Sequence, residues 1–195
     1  MKRTMIKTIG MGVLIFGSLA EGYGMNNAPE EKYPKIARVT FEEVNSGDKL
    51  RIKGYDGQTH YRERIKADGS FTKRFDVSEL PEDQYYFEVD KDDEITVLPF
   101  SVSEEKVDLQ NDLKANIAKP HLATYKDQVI LTRDAEDAQT IAVDIYFKGR
   151  NIYSEEVEKN GKLSRQYDFS KSMNGTYLFE IKYDDRLYSE FVNVR

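Results

Sequence analysis

The sequence contains no cysteine and only two histidines among its 195 residues. Without cysteine no disulfide can form, no lipid can be attached through a thiol, and no zinc–thiolate site can be built. The Gly-x-Ser-x-Gly element that presents a nucleophilic serine is also missing. His60 corresponds to an isoleucine in the internal repeat described below, and His121 follows a proline in an apparent linker. We therefore expect no metal site, no cofactor and no enzymatic activity.

Long hydrophobic runs and concentrated positive charge are equally scarce. The net charge is −6, and lysine and arginine alternate with acidic residues, whereas a nucleic-acid-binding protein normally has a basic domain or stripe. The one apolar run, residues 10–20, is too short to span a bilayer. It follows three basic residues and ends in Ser18-Leu19-Ala20. This arrangement predicts a secretory signal peptide over residues 1–20.

Removal of residues 1–20 takes away three positive charges and no negative charge, so the net charge is −6 for the full chain and −9 for the mature chain. After this removal we expect no membrane anchor, and residues 21–34, which are poor in apolar side chains, predict a flexible leader. The predicted location is the periplasm, the cell surface or the medium. Because an exported domain without disulfides must rely on its core alone, a bacterial source is favoured.

The chain contains one module twice. An offset of 92 residues aligns 57–93 with 149–185 without a gap, and eleven of these 37 positions are identical. The identical pairs are Gly57/Gly149, Tyr61/Tyr153, Glu63/Glu155, Gly69/Gly161, Asp76/Asp168, Ser78/Ser170, Tyr85/Tyr177, Phe87/Phe179, Glu88/Glu180, Asp92/Asp184 and Asp93/Asp185. Upstream of Gly57 the two copies align only after a shift of one residue. This one-residue slip predicts that the first strands of the two copies differ by a β-bulge.

Each copy is predicted to be built of strands, because apolar and polar residues alternate with the period of a half-buried strand. The predicted strands are 37–44, 49–55, 58–66, 71–77, 85–91 and 94–103 in the first copy, and 127–133, 139–147, 150–158, 163–169, 177–183 and 186–194 in the second. No stretch has helical periodicity. The predicted fold is therefore all-β, with two tandem immunoglobulin-like β-sandwich modules at 35–104 and 123–195 and a linker at 105–122.

The turns are also visible in the sequence. Asp68-Gly69 and Asn160-Gly161 predict hairpin turns at matching positions of the two copies. If each such turn joins two paired strands, each module is a meander of consecutive antiparallel strands. Asp56-Gly57 and Lys148-Gly149 mark the preceding turn in each copy. Asp92-Asp93 and Asp184-Asp185 mark a later turn, between the last two strands of each copy. These turns recur every eight to twelve residues, as in small all-β domains.

Two repeated polar motifs are candidate sites. The motif Asp-x-Ser, at Asp76 and Ser78 and again at Asp168 and Ser170, either binds a ligand or closes a turn through backbone N–H groups; its position after a strand favours the turn. The pairs Asp92-Asp93 and Asp184-Asp185 offer oxygens to calcium, but two carboxylates are too few. We therefore assign no catalytic, cofactor-binding or metal-binding residue.

The remaining candidates are surface and core side chains. Glu88 and Glu180 lie between apolar neighbours in the alternation and are predicted to face solvent. The thirteen tyrosines suit recognition of a protein or a sugar, but most of them alternate inward and are predicted to belong to the core.

The second copy, with "VDIYFKGRNIYSEEV" and "YDFSKSMNGTYLFEIKYDDRLYSEFVNV", resembles small β-sandwich modules of exported Bacteroidetes proteins. One such family is the C-terminal sorting domain of the type IX secretion system, and another comprises short secreted proteins of unknown function. The matching residues are Gly149, Tyr153, Asp168, Ser170, Gly175, Tyr177 and Phe191. The first copy departs from the pattern, with Asp83 in place of Gly175 and Pro99 in place of Phe191.

The expected function is that of a non-catalytic periplasmic or cell-surface binding module. Its partner is an unidentified protein or polymer, not a nucleic acid, and the chain is expected to be a monomer. The alternative, implied by the resemblance, is that the second module is a sorting domain for export by the type IX system.

Overall fold

The computed structural model describes residues 34–134 and 138–195, and the predicted signal peptide and nearly all of the predicted leader lie outside them. The described chain is built almost entirely of strands. They are β1 (Ile36–Val44), β2 (Lys49–Gly54), β3 (Thr59–Arg64), β4 (Gly69–Asp76), β5 (Asp83–Asp90), β6 (Glu94–Val102), β7 (Val107–Leu109), β8 (Ala115–Ala118), β9 (His121–Tyr125), β10 (Gln128–Arg133), β11 (Ala138–Phe147), β12 (Arg150–Asn160), β13 (Leu163–Asp168), β14 (Gly175–Tyr183) and β15 (Arg186–Val194). All twelve predicted strands are confirmed to within a few residues at each end.

The strands that the sequence prediction missed are β7, β8 and β9. The first two lie, with a one-turn 3-10 helix at Asn111–Leu113, inside the segment predicted as a linker. They are short and lack a regular apolar alternation, so the periodicity that identified the other strands is absent from them. The described chain divides into two compact units, the first comprising 34–91 and 96–115 and the second 92–95 and 116–195, the latter described except for 135–137.

Unit 1 contains two sheets whose buried faces form one core. β1 pairs with β4, and the larger sheet has the order β3-β2-β5-β6-β7. Phe41 and Phe75 from the first sheet pack in one cluster with Ile52, Phe87 and Phe100 from the second. Unit 1 is therefore a β-sandwich.

Unit 2 repeats this arrangement with its own core. One sheet has the order β13-β10-β9 and the other β12-β11-β14-β15. Phe179 is completely buried and packs beside Tyr167 and Phe169. Its counterpart Phe87 is completely buried in the core of unit 1. The inward position that the alternation predicted for both phenylalanines is confirmed.

The predicted meander is wrong. β3 pairs with β2 and β4 with β1, so Asp68-Gly69 does not close a hairpin but carries the chain from one sheet to the other, as Asn160-Gly161 does between β12 and β13. Gly69 and Gly161 have φ of 91° and 79°, which suits a sharp change of direction. An Asp-Gly or Asn-Gly dipeptide requires only such a local turn, and it does not specify which strand the chain joins next.

The one-residue slip has a different origin from the predicted bulge. β3 and β12 are irregular at the same position, at His60 and Ile152, immediately before Tyr61 and Tyr153, so this feature is common to both copies. The difference lies in the preceding turn. Lys148-Gly149 is a two-residue turn with positive φ at both positions, whereas the corresponding turn at 55–57 has one residue more and ends at Gly57 with φ of 83°.

Candidate interaction surface

The tyrosine and glutamate shared by the two copies are structural. In unit 1, Glu63 on β3 accepts hydrogen bonds from Tyr61 on the same strand and from Lys73 on β4, and Lys73 Nζ lies 2.8 Å from the Tyr61 hydroxyl. β3 and β4 belong to different sheets, so this cluster joins the two sheets at one side of the sandwich. Desolvation lowers the pKa of Lys73, but its contacts with Glu63 and Tyr61 outweigh this effect and raise the pKa.

Unit 2 has the same cluster with an arginine in place of the lysine. Arg165 on β13 donates two hydrogen bonds to Glu155 on β12, at 2.9 and 2.6 Å, and the hydroxyls of Tyr167 and Tyr153 donate to the same carboxylate at 2.8 and 3.1 Å. Burial alone raises the pKa of Glu155, but the four hydrogen bonds outweigh it and lower the pKa. A carboxylate occupied on both oxygens by internal donors is not available as a catalytic acid or base.

The repeated Asp-x-Ser motif closes turns, as the sequence analysis favoured. The backbone N–H of Ser78 donates to Asp76 Oδ1 at 3.0 Å, and that of Ser170 donates to Asp168 Oδ1 at 2.9 Å. The hydrogen bonds from Ser170 lower the pKa of Asp168. These side chains therefore replace backbone acceptors where the strand ends.

The candidate metal ligands lie in separate elements of the structure. Asp184 and Asp185 both have positive φ, near 50°, and make the tight turn between β14 and β15. His60 packs against the ring of Tyr85 in unit 1, and His121 lies at the start of β9 in unit 2. Within 34–134 and 138–195, no three histidine, aspartate or glutamate side chains are grouped so that they could hold a metal ion. The expected absence of metal stays a prediction.

Glu88 does not face solvent, so the prediction for this residue is wrong. Its side chain is 0% exposed, with Arg51 Nη1 2.9 Å and Lys53 Nζ 3.4 Å from Oε1. Arg51 lies directly opposite on β2 and also contacts Asp90, at 3.2 Å. The outward face of β2 and β5 is thus covered by its own long charged side chains. The alternation identified the face of Glu88 correctly but could not identify its neighbours on the adjacent strand.

The corresponding face of unit 2 carries a row of three apolar side chains, of which two are half-buried and one is exposed. Tyr146 on β11 lies opposite Leu178 on β14, and Leu178 lies opposite Phe191 on β15. The adjacent residues Phe147, Tyr177 and Val192 are buried, so the three side chains point away from the core. Phe191 is 72% exposed, more than any other large apolar side chain in the described chain. We call Tyr146, Leu178 and Phe191 the apolar row; it spans about 10 Å across three strands, two strand spacings.

Polar groups lie on one side of the apolar row. The carboxylate of Asp144 accepts hydrogen bonds from Ser154 at 2.7 Å, Lys182 at 3.1 Å and Asn151 at 3.3 Å. The Ser154 and Lys182 contacts hold the pKa of Asp144 below its ordinary value. Glu180, opposite Asp144 on β14, is half-buried, so its predicted outward position is only partly solvated. An apolar row with hydrogen-bonding groups beside it can contact a partner that is itself part apolar and part polar.

Exposed apolar side chains are concentrated in unit 2. Among the described residues these are Tyr125, Ile152, Tyr153, Met173, Leu187 and Phe191 in unit 2, and Tyr55 and Leu113 in unit 1. The apolar row was not predicted from the sequence. The available signal was Phe191 itself, which has a proline at the matching position of the first copy and falls on the outward side of the alternation.

Comparisons with known proteins give little further guidance. No protein-family model and no curated protein matches the chain. Among solved structures, the chain is similar to a biofilm associated protein, BSP domain, with 12% sequence identity and a TM-score of 0.28. The similarity covers 84% of this chain and 27% of that protein. Among the described residues, no helix has the length and apolar character needed to cross a membrane.

Proposed function

We propose that the protein is a non-catalytic, exported binding protein composed of two tandem immunoglobulin-like β-sandwich modules. The strand order supports this fold: in both units the first and fourth strands of the repeat pair, and the second lies between the third and the fifth. This is the pairing of the immunoglobulin-like sandwich. Both units also have a tyrosine corner, in which the hydroxyl of Tyr85 donates to Pro81 O at 2.9 Å and that of Tyr177 to Met173 O at 2.6 Å.

The apolar row carries the functional proposal. Both copies use the pairs Glu63/Glu155, Asp76/Asp168 and Tyr85/Tyr177 for the same structural contacts, and both outward faces carry charged pairs. They differ at the row itself, where unit 1 has Lys53, Tyr86 and Pro99 in place of Tyr146, Leu178 and Phe191. Exposed apolar patches with a polar surround mark interaction sites, and aromatic residues are enriched in them. We assign partner binding to this face of unit 2, with a protein or polymer as the partner.

The binding test uses the two row members that do not lie on the edge strand β15. A variant carrying Tyr146→Ser and Leu178→Ser is compared with the wild type and with a control carrying Tyr125→Ser and Met173→Ser, two exposed apolar residues elsewhere in unit 2. After thermal melts establish that all three are folded, each is immobilised and exposed to periplasmic and outer-membrane fractions and to purified cell-envelope polysaccharides. We expect the wild type and the control to retain the same partner and the row variant to lose it. Equal retention by all three would contradict the assignment.

Export is tested by the intact mass of the native protein in each cell fraction. A single periplasmic species that begins near residue 21 and extends to Arg195 is the expected result. Loss of 123–195 from a surface-exposed species would instead favour the alternative that the second module is a type IX sorting domain.

A further inference from the structure

The two units close the same side of the sandwich in different ways. In unit 1, β7 pairs with β6 through Phe100–Leu109, Ser101–Asp108 and Val102–Val107, and Val107 and Leu109 pack on the core. In unit 2, β9 pairs with β10 in the other sheet. The positions on β15 that match the β7-binding residues of β6 are 192–194 by the 92-residue offset. Among the described residues, no strand pairs with the outer edge of β15.

The outer edge of β15 has fewer of the features that usually prevent pairing of edge strands than β6 or β12. Its nine residues include no proline and no lysine, its charged residues are Arg186 and Glu190 alone, and its register with β14 is unbroken. The matching strand β6 contains Pro99 and is covered by β7, and the opposite edge strand β12 has an irregular register and several glutamates. β15 instead exposes Leu187 and Phe191 at 55% and 72%.

We propose that β15 binds β15 of a second copy, antiparallel, about a two-fold axis at Ser189. Leu187 and Phe191 lie two residues on either side of Ser189 and on the same face of the strand. This register therefore places Leu187 of each copy opposite Phe191 of the other, which forms two identical apolar cross-strand pairs. The edge is self-complementary in the way a two-fold interface requires.

Charge supports the antiparallel direction. The acidic turn Asp184-Asp185 precedes the strand and Arg195 follows it. Antiparallel pairing at this register brings Arg195 of each copy beside the acidic turn of the other, whereas parallel pairing would place like charges side by side. The paired sheets would form one continuous sheet of eight strands, twice the four-stranded sheet of unit 2.

The dimer goes beyond the proposed binding function and is testable separately from it. Leu187 of the second copy would extend the apolar row by one strand, next to Phe191. The partner-binding test changes only Tyr146 and Leu178, which are not on β15, so loss of partner binding and loss of the dimer are distinguishable.

The chain has no cysteine, so a single introduced cysteine reports strand pairing directly. Ser189→Cys places two thiols opposite each other at the two-fold axis, within the reach of a disulfide or a short bismaleimide. Asn193→Cys is the matched control, because it is exposed on the same face of the same strand. In the proposed register the two control thiols are separated by eight residue positions, about 27 Å. We expect rapid covalent dimer formation by Ser189→Cys and none by Asn193→Cys.

Sedimentation velocity of the purified protein over a concentration series provides the second measurement. The wild type should dimerise with increasing concentration, and Phe191→Lys should remain a monomer because it places lysines against Leu187 at both pairs. Met173→Lys, the same charge change at a residue 64% exposed off this strand, should dimerise like the wild type. A wild type that stays monomeric at every concentration, dimerisation of Phe191→Lys, or equal cross-linking of the two cysteine variants would each overturn the proposal.

Discussion

Truncation of Phe179 to alanine is expected to unfold unit 2 selectively. Phe179 is 0% exposed, lies opposite Ile145 on β11, and packs against the rings of Tyr167 and Phe169 with centroids 5.5 and 6.2 Å away. Its removal from the middle of the core leaves a cavity bordered by two sheets, which cannot both collapse into it. Buried phenylalanine-to-alanine changes cost about 3–5 kcal/mol, and whole domains have a free energy of unfolding of about 5–15 kcal/mol. Unit 2 would therefore lose a large part of its stability.

The control is Phe191→Ala, the same chemical change on the adjacent strand at a side chain 72% exposed. Exposed substitutions usually change the free energy of unfolding by less than about 0.5 kcal/mol. Urea unfolding followed by tyrosine fluorescence and by proteolysis should show an early transition for unit 2 in Phe179→Ala and an unchanged profile in Phe191→Ala, both measured at a protein concentration low enough to keep the chain monomeric. Equal midpoints in the two variants would mean that the inward and outward faces of β14 and β15 have been assigned the wrong way round.

Three further results are expected. Gly175→Ala should destabilise unit 2 by about 1–3 kcal/mol, measured by urea unfolding, because its φ is 152° and a Cβ would lie 2.9 Å from the Phe147 ring; an unchanged midpoint would show that the ring can move aside. Glu155→Gln should lower stability at neutral pH but not in acid, because the folded pKa of Glu155 lies below its unfolded value of 4.5 and its stabilisation is lost as the pH falls through the folded pKa; a pH-independent difference would contradict this. Melting curves in millimolar calcium and in excess chelator should coincide, since the pair Asp184-Asp185 forms a tight turn with too few ligands; a rise in melting temperature with calcium that disappears when both residues are asparagine would overturn the prediction.

The sequence predicted what depends on local alternation. Phe87 and Phe179 were assigned to the core, and Asp76 and Asp168 to turns, because each assignment requires only neighbouring residues. What it could not predict depends on residues far apart in the chain. Burial of Glu88 requires Arg51, which lies 37 residues away on the neighbouring strand. The crossover after Gly69 requires that β4 pair with β1, a contact that no local pattern encodes.

The candidate site illustrates the same limit. Tyr61, Glu63 and their counterparts were found as identical pairs, but their basic partners Lys73 and Arg165 differ between the copies and were not singled out. The apolar row was missed because its three members come from three strands, and only Phe191 among them is exposed. A shared face becomes visible only when the strand register is known.

The outward faces of the two units carry opposite charges at equivalent positions. Arg51 on β2 contacts Asp90 on β5, whereas at the equivalent positions of unit 2 Asp144 on β11 contacts Lys182 on β14, so the signs are exchanged. If β14 docked on β2, Lys182 would meet Arg51, and if β5 docked on β11, Asp90 would meet Asp144. Tandem repeats with the same strand pattern are prone to such misassembly, and like charges on facing strands oppose it. We therefore expect the exchanged charges to favour pairing of each strand within its own unit, while the residues kept identical preserve the sandwich.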